Sequence, residues 1–293
     1  MESIFDTLKS FIPLSIKRAI RQPPQPYRML TGQIRLMPDF IIIGAQKGGT
    51  TSLYNLLIGH PCIASALVKE VHFFDKNFMK GITWYKAHFP SFLYKYYAKK
   101  MHGLNFITGE ASPYYIFHPH APKRISEIVP RVKIIVLLRN PIDRAYSHYH
   151  EEVRREREPL SFEDAIKREW ERINGEMGKM LEDENYYSFN HQYYSYLSRG
   201  IYVDQLKVWM NFFPKEQILI LKSEDFYSYP ETTLRRVVEF LNLPGWDPKD
   251  YRKYNESKYP KMNATTRKYL IDYFLPHNQR LYEYLGMDFE WDR

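Results

Sequence analysis

Apolar runs and amphipathic stretches alternate along this chain. Phe40 to Gly44 (FIIIG) is an unbroken apolar run ending in glycine, and Thr50 to Ile58 behind it has helical periodicity. Val132 to Leu138 (VKIIVLL) repeats the arrangement, with a helix expected from about Ile142. Gln217 to Leu221 (QILIL) does so again, before a helix from about Pro230 to Leu241. β-branched runs with no polar alternation belong to strands buried on both faces, and helices between them imply a parallel sheet. A last helix is expected from Thr265 to Leu285. The pattern therefore predicts an α/β fold, a single domain with a central parallel sheet flanked by helices, over residues 37–293.

Residues 1–36 follow a different pattern. Ile4, Phe5, Leu8, Phe11, Ile12, Ile16, Ala19 and Ile20 are interspersed with Lys9, Lys17, Arg18 and Arg21, and Pro13 interrupts them. Two short amphipathic helical pieces are expected, lying on a membrane surface or against the domain. Glu2, Asp6 and the broken apolar run argue against a secretory signal. No apolar run approaches the ~18 residues of a membrane-spanning helix. Pro23 to Arg35 reads as a linker.

Composition narrows the class. Hydrophobic residues make up 44% and charged residues 26% of the 293, which excludes collagen-like, disordered and disulfide-scaffold proteins. The 42 Lys and Arg against 34 Asp and Glu leave a charge of +8, which points toward an anionic partner. Tyrosine is abundant, at 25 residues, and its ring is a stacking platform. Tyr186, Tyr187, Tyr193, Tyr194 and Tyr196 either flank a cleft or pack. The single cysteine, Cys62, rules out an internal disulfide and a cysteine-type zinc site, and is expected as a small buried hydrophobe. Neither His118 with His120 nor His148 with His150 has a ligand partner at recognisable spacing, so no metal is expected. Glu151 to Glu158 (EEVRRERE) reads as a solvated helix carrying charge pairs.

The chemistry begins after the first strand. Lys47, Gly48, Gly49, Thr50, Thr51 and Ser52 join FIIIG to its helix, the layout of an anion-binding loop. The glycines admit positive φ and close backbone approach, the helix N-terminus offers unpaired N–H groups, and Lys47 adds a charge. The pattern is not a Walker A loop, in which lysine follows the last glycine, and no strand ends in a Walker B aspartate. Arg139 closes the second strand, where open α/β sheets bind ligands, and Ser147 lies in the early turns of the next helix. Together they can grip a second phosphate, although Arg139 alone fits a structural ion pair equally well.

FIIIGAQKGGTTSLYNLL and IIVLLRNPIDRAYSHY resemble the two nucleotide signatures of sulfotransferases that use 3′-phosphoadenosine 5′-phosphosulfate (PAPS). The likeness extends through KEVHFFDKN, GITWYKAHFP, GEASPYY and SRGIYVDQLKVWMNFFPKEQILILKSEDF to YFLPHNQRLYEYLG, about residues 37 to 290. It is greatest toward the heparan sulfate glucosaminyl N- and 3-O-sulfotransferases and their bacterial relatives. The resemblance implies a P-loop-kinase-like sulfotransferase fold. It also implies that Lys47 to Ser52 hold the 5′-phosphosulfate, that Arg139 and Ser147 hold the 3′-phosphate, and that a loop at Ser257, Lys258 and Tyr259 closes over the nucleotide. Glu70 falls at the general-base position, with His72 and Asp75 on the acceptor side of the cleft. Three departures stand out: Ala111 replaces a lysine of those relatives, their paired cysteines are missing, and Asn255-Glu256 replaces a Lys-Gly pair.

The expected reaction is in-line transfer from PAPS to a hydroxyl of a carbohydrate, glycolipid or small alcohol, releasing 3′,5′-adenosine bisphosphate (PAP) without a metal. Glu70 takes the proton and Lys47 steadies the leaving phosphate, with His72 beside them. A P-loop-type kinase or hydrolase, or a non-enzymatic binder of anionic polysaccharide or membrane, would explain only part of the pattern. No nucleic-acid partner is expected. A cytoplasmic location is expected, with peripheral contact at the inner membrane face through residues 1–21.

Overall fold

The computed structural model describes residues 25–103, 105–248, 251 and 259–292. Five strands, β1 (Phe40–Gly44), β2 (Ile63–Ser65), β3 (Ile107–Ala111), β4 (Lys133–Leu138) and β5 (Ile218–Lys222), form one sheet in the order β2-β3-β1-β4-β5. Every pairing is parallel. β1 is central, its residues wholly enclosed because its neighbours cover both edges and helices cover both faces.

Strand alternation sorts the core into two layers. Ile41, Ile43, Ile134, Val136 and Leu138 face one layer, which also holds Ile125 of Ala121–Ile128 and Trp209 of Tyr202–Met210. Phe40, Ile42, Ile135 and Leu137 face the other, against helix α1 (Thr50–Leu57) and the helix Pro230–Phe240. A satellite cluster joins helix α2 (Pro141–Arg154), through Ile142 and Ala145, to Leu270 and Phe274 of helix α3 (Ala264–Leu285).

The helices start and stop where local chemistry dictates. Asn140 caps α2 by accepting from the N–H of Ile142 at 3.0 Å, Pro141 occupies the first turn, and Arg154 lies in the last. Asn263 caps α3, and Gly286 ends it at a left-handed φ of 65°.

Three expectations need correction, and β2 and β3 are strands that the hydrophobic pattern did not predict. β2 and β3 are not apolar runs: IAS and ITGEA carry polar and small residues, so their strand character comes from pairing beside β1. The described part of the expected linker is a helix, Gln25–Leu30, and a 3₁₀ turn, Gly32–Ile34. Its Arg28 and Arg35 are buried and each donates to the carbonyl of Phe89 at 2.9 Å. Cys62 is half-buried rather than enclosed. Glu151 to Glu158 is not a solvated helix, because α2 stops at Arg154, and Glu152 and Glu158 are buried. The amphipathic pieces expected in residues 1–21 lie outside the described residues.

Candidate active site

Because β1, β3 and β4 are parallel neighbours, the segments leaving their C-terminal ends converge on a cleft of about 340 Å³. The segment after β1 supplies Gln46, Lys47, Gly49, Thr50 and Thr51 to its lining. Gly49 is the N-cap of α1 at φ 97° and has no side chain with which to cap it, so the helix's first N–H groups are left to the cleft. Gly48 is needed for space rather than for a positive φ. A Cβ on it would lie 2.4 Å from the Leu137 carbonyl oxygen, and the left-handed conformation falls on Lys47, at φ 67°.

Lys47 and Arg139 are braced from behind. The Lys47 ammonium lies 3.6 Å from a Glu151 oxygen; burial lowers its pKa and the carboxylate partly offsets that. Arg139 lines the cleft while its Nη1 donates to the Lys47 carbonyl at 3.1 Å, tying the β4 exit to the β1 loop. Ser147, on α2, is buried in the same wall. Ser52 is buried within α1, and neither it nor Gly48 lines the cleft. Tyr259 stacks on His150 with ring centroids 4.5 Å apart, at the flank of α2. Ser257 and Lys258 lie outside the described residues.

Glu70 and His72 form the opposite wall. Glu70, its side chain 39% exposed, holds Lys69 Nζ at 2.6 Å and His72 Nε2 at 3.1 Å. Burial against the wall raises the Glu70 pKa, but the hydrogen bonds and charge from His72 and Lys69 outweigh it and hold the carboxyl at about 2. His72 has the mirror situation. Burial opposes its charge, but Asp75 at 2.7 Å and Glu70 outweigh burial and lift it to about 9. Lys69 also donates to Thr51 Oγ1 at 2.7 Å, so one ammonium spans the anion loop and the Glu70 carboxylate.

Beneath this wall lies Glu110 of β3, fully enclosed. It accepts from Ser112 Oγ at 2.6 Å, Tyr85 Oη at 2.7 Å, Tyr115 Oη at 3.1 Å and the Val71 N–H at 3.3 Å. Burial dominates and pushes its pKa up to about 7. Ser112 Oγ in turn accepts from the His72 N–H at 3.1 Å, fixing a left-handed residue with φ 52°. Glu110 is thus a positioning residue for the segment that carries Glu70. Ala111 is sealed in the core beside Phe40 and Ile42, and supplies no cation.

The structure adds residues that sequence spacing did not single out for a role. Arg199, 1% exposed, reaches the cleft from the far side, donating to Gln46 Oε1 and to the carbonyls of His191 and Gln192. Burial lowers its pKa to about 10, and no carboxylate among the described residues pairs with it directly. The cleft edge also carries Lys76, Tyr114 and Arg157, the last 4.2 Å from the Tyr193 ring. Of the tyrosine groups, Tyr193 lines the cleft, whereas Tyr196 is buried against Glu158 and Tyr186 bonds Glu176. Among the described residues no three His, Cys, Asp or Glu side chains gather as a metal site.

Known proteins share this sequence pattern and fold. A family model described as "Sulfotransferase domain" matches residues 37–287. The membrane-associated sulfotransferase kil1 of Dictyostelium discoideum is 29% identical, over 94% of this chain and 71% of its own. Heparan sulfate glucosamine 3-O-sulfotransferase 3A1 of Mus musculus is 30% identical, over 92% of this chain and 68% of its own. Among solved structures, a sulfotransferase from Alicyclobacillus acidocaldarius superposes with a TM-score of 0.66 at 30% identity, covering 88% of this chain and all of its own.

Proposed function

The chain belongs to the sulfotransferase family and catalyses sulfuryl transfer; from that premise we propose that its donor is PAPS, its acceptor a saccharide hydroxyl or a related alcohol, and its general base Glu70. The observation that carries this reading is Lys69. Its ammonium, 2.7 Å from Thr51 and 2.6 Å from Glu70, joins a phosphate-type cradle to a carboxylate across one cleft. The cradle suits a phosphosulfate because Gly48 lets the loop pack directly on the Leu137 and Ala45 carbonyls, and Gly49, facing the Tyr227 hydroxyl in the cleft wall, leaves room for the anion. Arg139 and Ser147 would hold the 3′-phosphate, and Tyr259, with Ser257 and Lys258, would close over the nucleotide.

PAPS would supply a sulfuryl group already joined to a phosphate leaving group. Lys47 and the first amides of α1 stabilise the charge that grows on the departing oxygen. Glu70 orients the acceptor hydroxyl, whose oxygen forms the new bond to sulfur as the bond between sulfur and the bridging oxygen breaks. The electron pair leaves with the 5′-phosphate and the hydroxyl proton passes to a Glu70 oxygen. A carboxylate with a pKa of about 2 is a weak base in the resting site. It suffices because the hydroxyl becomes strongly acidic as its oxygen bonds sulfur. His72 and Lys69 keep Glu70 ionised until then, and positioning carries the remainder, as in phosphoryl transfer.

The likeness to the mouse heparan sulfate enzyme supports a saccharide acceptor, and Lys76, Arg157 and Arg199 at the cleft edge suit one that bears anionic groups. The single cysteine fits a reducing compartment, here proposed as the cytoplasm, with residues 1–21 touching the membrane face. No helix among the described residues is long and apolar enough to cross a membrane.

The first experiment is thermal unfolding with PAP, ADP, or ATP plus magnesium. PAP at a hundred times its Kd stabilises by about 2.7 kcal/mol and raises Tm by about 5 °C. A shift with ATP and magnesium alone overturns the reading in favour of a kinase.

A further inference from the structure

The helix Phe92–His102 shows its hydrophobic residues to solvent. From Phe92 to Met101 only Ala98 is buried; Phe92 is 60% and Leu93 63% exposed, and Tyr96 and Met101 are exposed to a similar degree. At 100° per residue, positions 92, 93, 96, 97, 100 and 101 form one outward face. Lys100 lies on that face and Lys99 at its margin, and neither makes an ion pair with a described residue.

A second segment extends this face. Arg35 bridges to Ser91, and Ile34, Phe92 and Leu93 line one shallow groove. Leu30, 85% exposed, and Tyr27 lie on the adjoining helix Gln25–Leu30. The charge pattern is one-sided in both segments. From Thr7 to Pro38, and again from Lys76 to Gly109, the chain contains lysine and arginine but no aspartate or glutamate. The nearest carboxylate, Asp39, is engaged by the Thr108 N–H at 2.8 Å and lies near Lys95.

We propose that this face, built from Tyr27, Leu30, Ile34, Phe92, Leu93 and Tyr96 with Lys99 and Lys100, docks the folded domain on a bilayer surface containing anionic lipid. Leu, Phe and Met insert at the acyl boundary, tyrosine sits at the headgroup level, and lysine reaches the phosphates with its stem lying along apolar surface. Charge complementarity selects this occupant over a second copy of the chain. A symmetric contact would set Lys99 and Lys100 against the same basic face of a second copy, whose two segments offer no carboxylate to receive them.

The face also fixes an orientation. It adjoins the N-terminal ends of β1 and β3, which begin at Phe40 and Ile107, whereas the cleft lies at their C-terminal ends. Docked this way, the domain holds its cleft toward water. The surface is distinct from residues 1–21 and does not depend on which acceptor or donor is used.

The test is co-sedimentation of the full-length protein with phosphatidylcholine vesicles, with and without 30 mol% phosphatidylserine. Binding is expected only with phosphatidylserine and is expected to weaken as salt rises. Lys99→Gln/Lys100→Gln should lower partitioning by about 25-fold, at ~5-fold per lysine, and Leu93→Glu should lower it further. Both variants carry exposed substitutions, so their Tm and PAP-induced shift should match the parent, which separates lost docking from misfolding. Removal of residues 1–21 should weaken binding without abolishing the effect of the lysine pair. The proposal is overturned if the variants bind as the parent does, if binding ignores lipid charge, or if the substitutions change self-association rather than vesicle binding.

Discussion

Replacing Glu70 by glutamine removes one charge at nearly constant shape. The carbonyl oxygen of the new side chain could still accept from Lys69, but its amide nitrogen would face His72 Nε2, setting donor against donor where 3.1 Å now separates partners. His72 would keep only Asp75 as acceptor, and its pKa should fall from about 9 toward its ordinary value. With no base for the acceptor proton, kcat should fall by about 10²–10⁴, a barrier increase of about 2.7–5.4 kcal/mol. The assay is PAP release with a heparan-type oligosaccharide as acceptor, alongside PAP thermal shifts. The nucleotide shift should be retained, because Glu70 reaches the cradle only through Lys69.

The pH profile gives the same argument an independent check. Glu70 ionises at about 2, so it should give kcat/KM no acid limb above pH 4.5, and a limb nearer 7 would belong to the buried Glu110. The alkaline limb should lie near 9, where His72 loses its proton, and should move to lower pH in Glu70→Gln. Two results would overturn the assignment of Glu70 as the base. One is a variant within tenfold of the parent kcat; the other is an acid limb near pH 6 that persists in Glu110→Gln, which would mean that Lys69 and His72 do not hold the Glu70 carboxylate.

Three further outcomes follow from the same geometry. Gly48→Ala places a Cβ 2.4 Å from the Leu137 carbonyl and 2.9 Å from that of Ala45; it should cost about 1–3 kcal/mol in Tm-derived stability and erase the PAP shift, and a parent-like shift would remove the cradle from the mechanism. Glu110 is raised from its ordinary 4.5 to about 7, so the fold binds its proton more tightly than the unfolded chain does. Its contribution is full below pH 4.5 and lost as pH rises through 7; the Tm difference between the parent and Glu110→Gln should therefore shift against the parent from pH 5 to 8, while the buried His118, His148 and His191, whose charged forms are disfavoured, act alike in both proteins. Arg199→Met should lower kcat at least tenfold with protein still folded by circular dichroism, whereas unchanged turnover would assign the guanidinium to packing alone.

Wherever the information was local, the sequence alone carried it. FIIIG, VKIIVLL and QILIL announced β1, β4 and β5 because strands enclosed on both faces read as near-continuous apolar runs. The lysine-glycine-glycine-threonine loop was legible for a similar reason: an anion cradle needs small residues, a strand before it and a helix after it within a dozen positions. Placement after the second strand singled out Arg139 and Ser147, the motifs of the family resemblance added Glu70 and His72, and all four line the cleft. Tertiary structure decided what depends on neighbours distant in the chain. β3 is a strand because β1 and β2 flank it, although ITGEA carries a glutamate and a glycine. Which glycine needs φ and which needs space was set by the Leu137 carbonyl, about ninety residues away. Arg199 meets Gln46 across 153 positions, and Lys69 meets Thr51 across 18. Glu70 becomes a clamped anion and Glu110 a proton holder through burial and partners, and two glutamates that look alike in a sequence part only once the chain has folded around them.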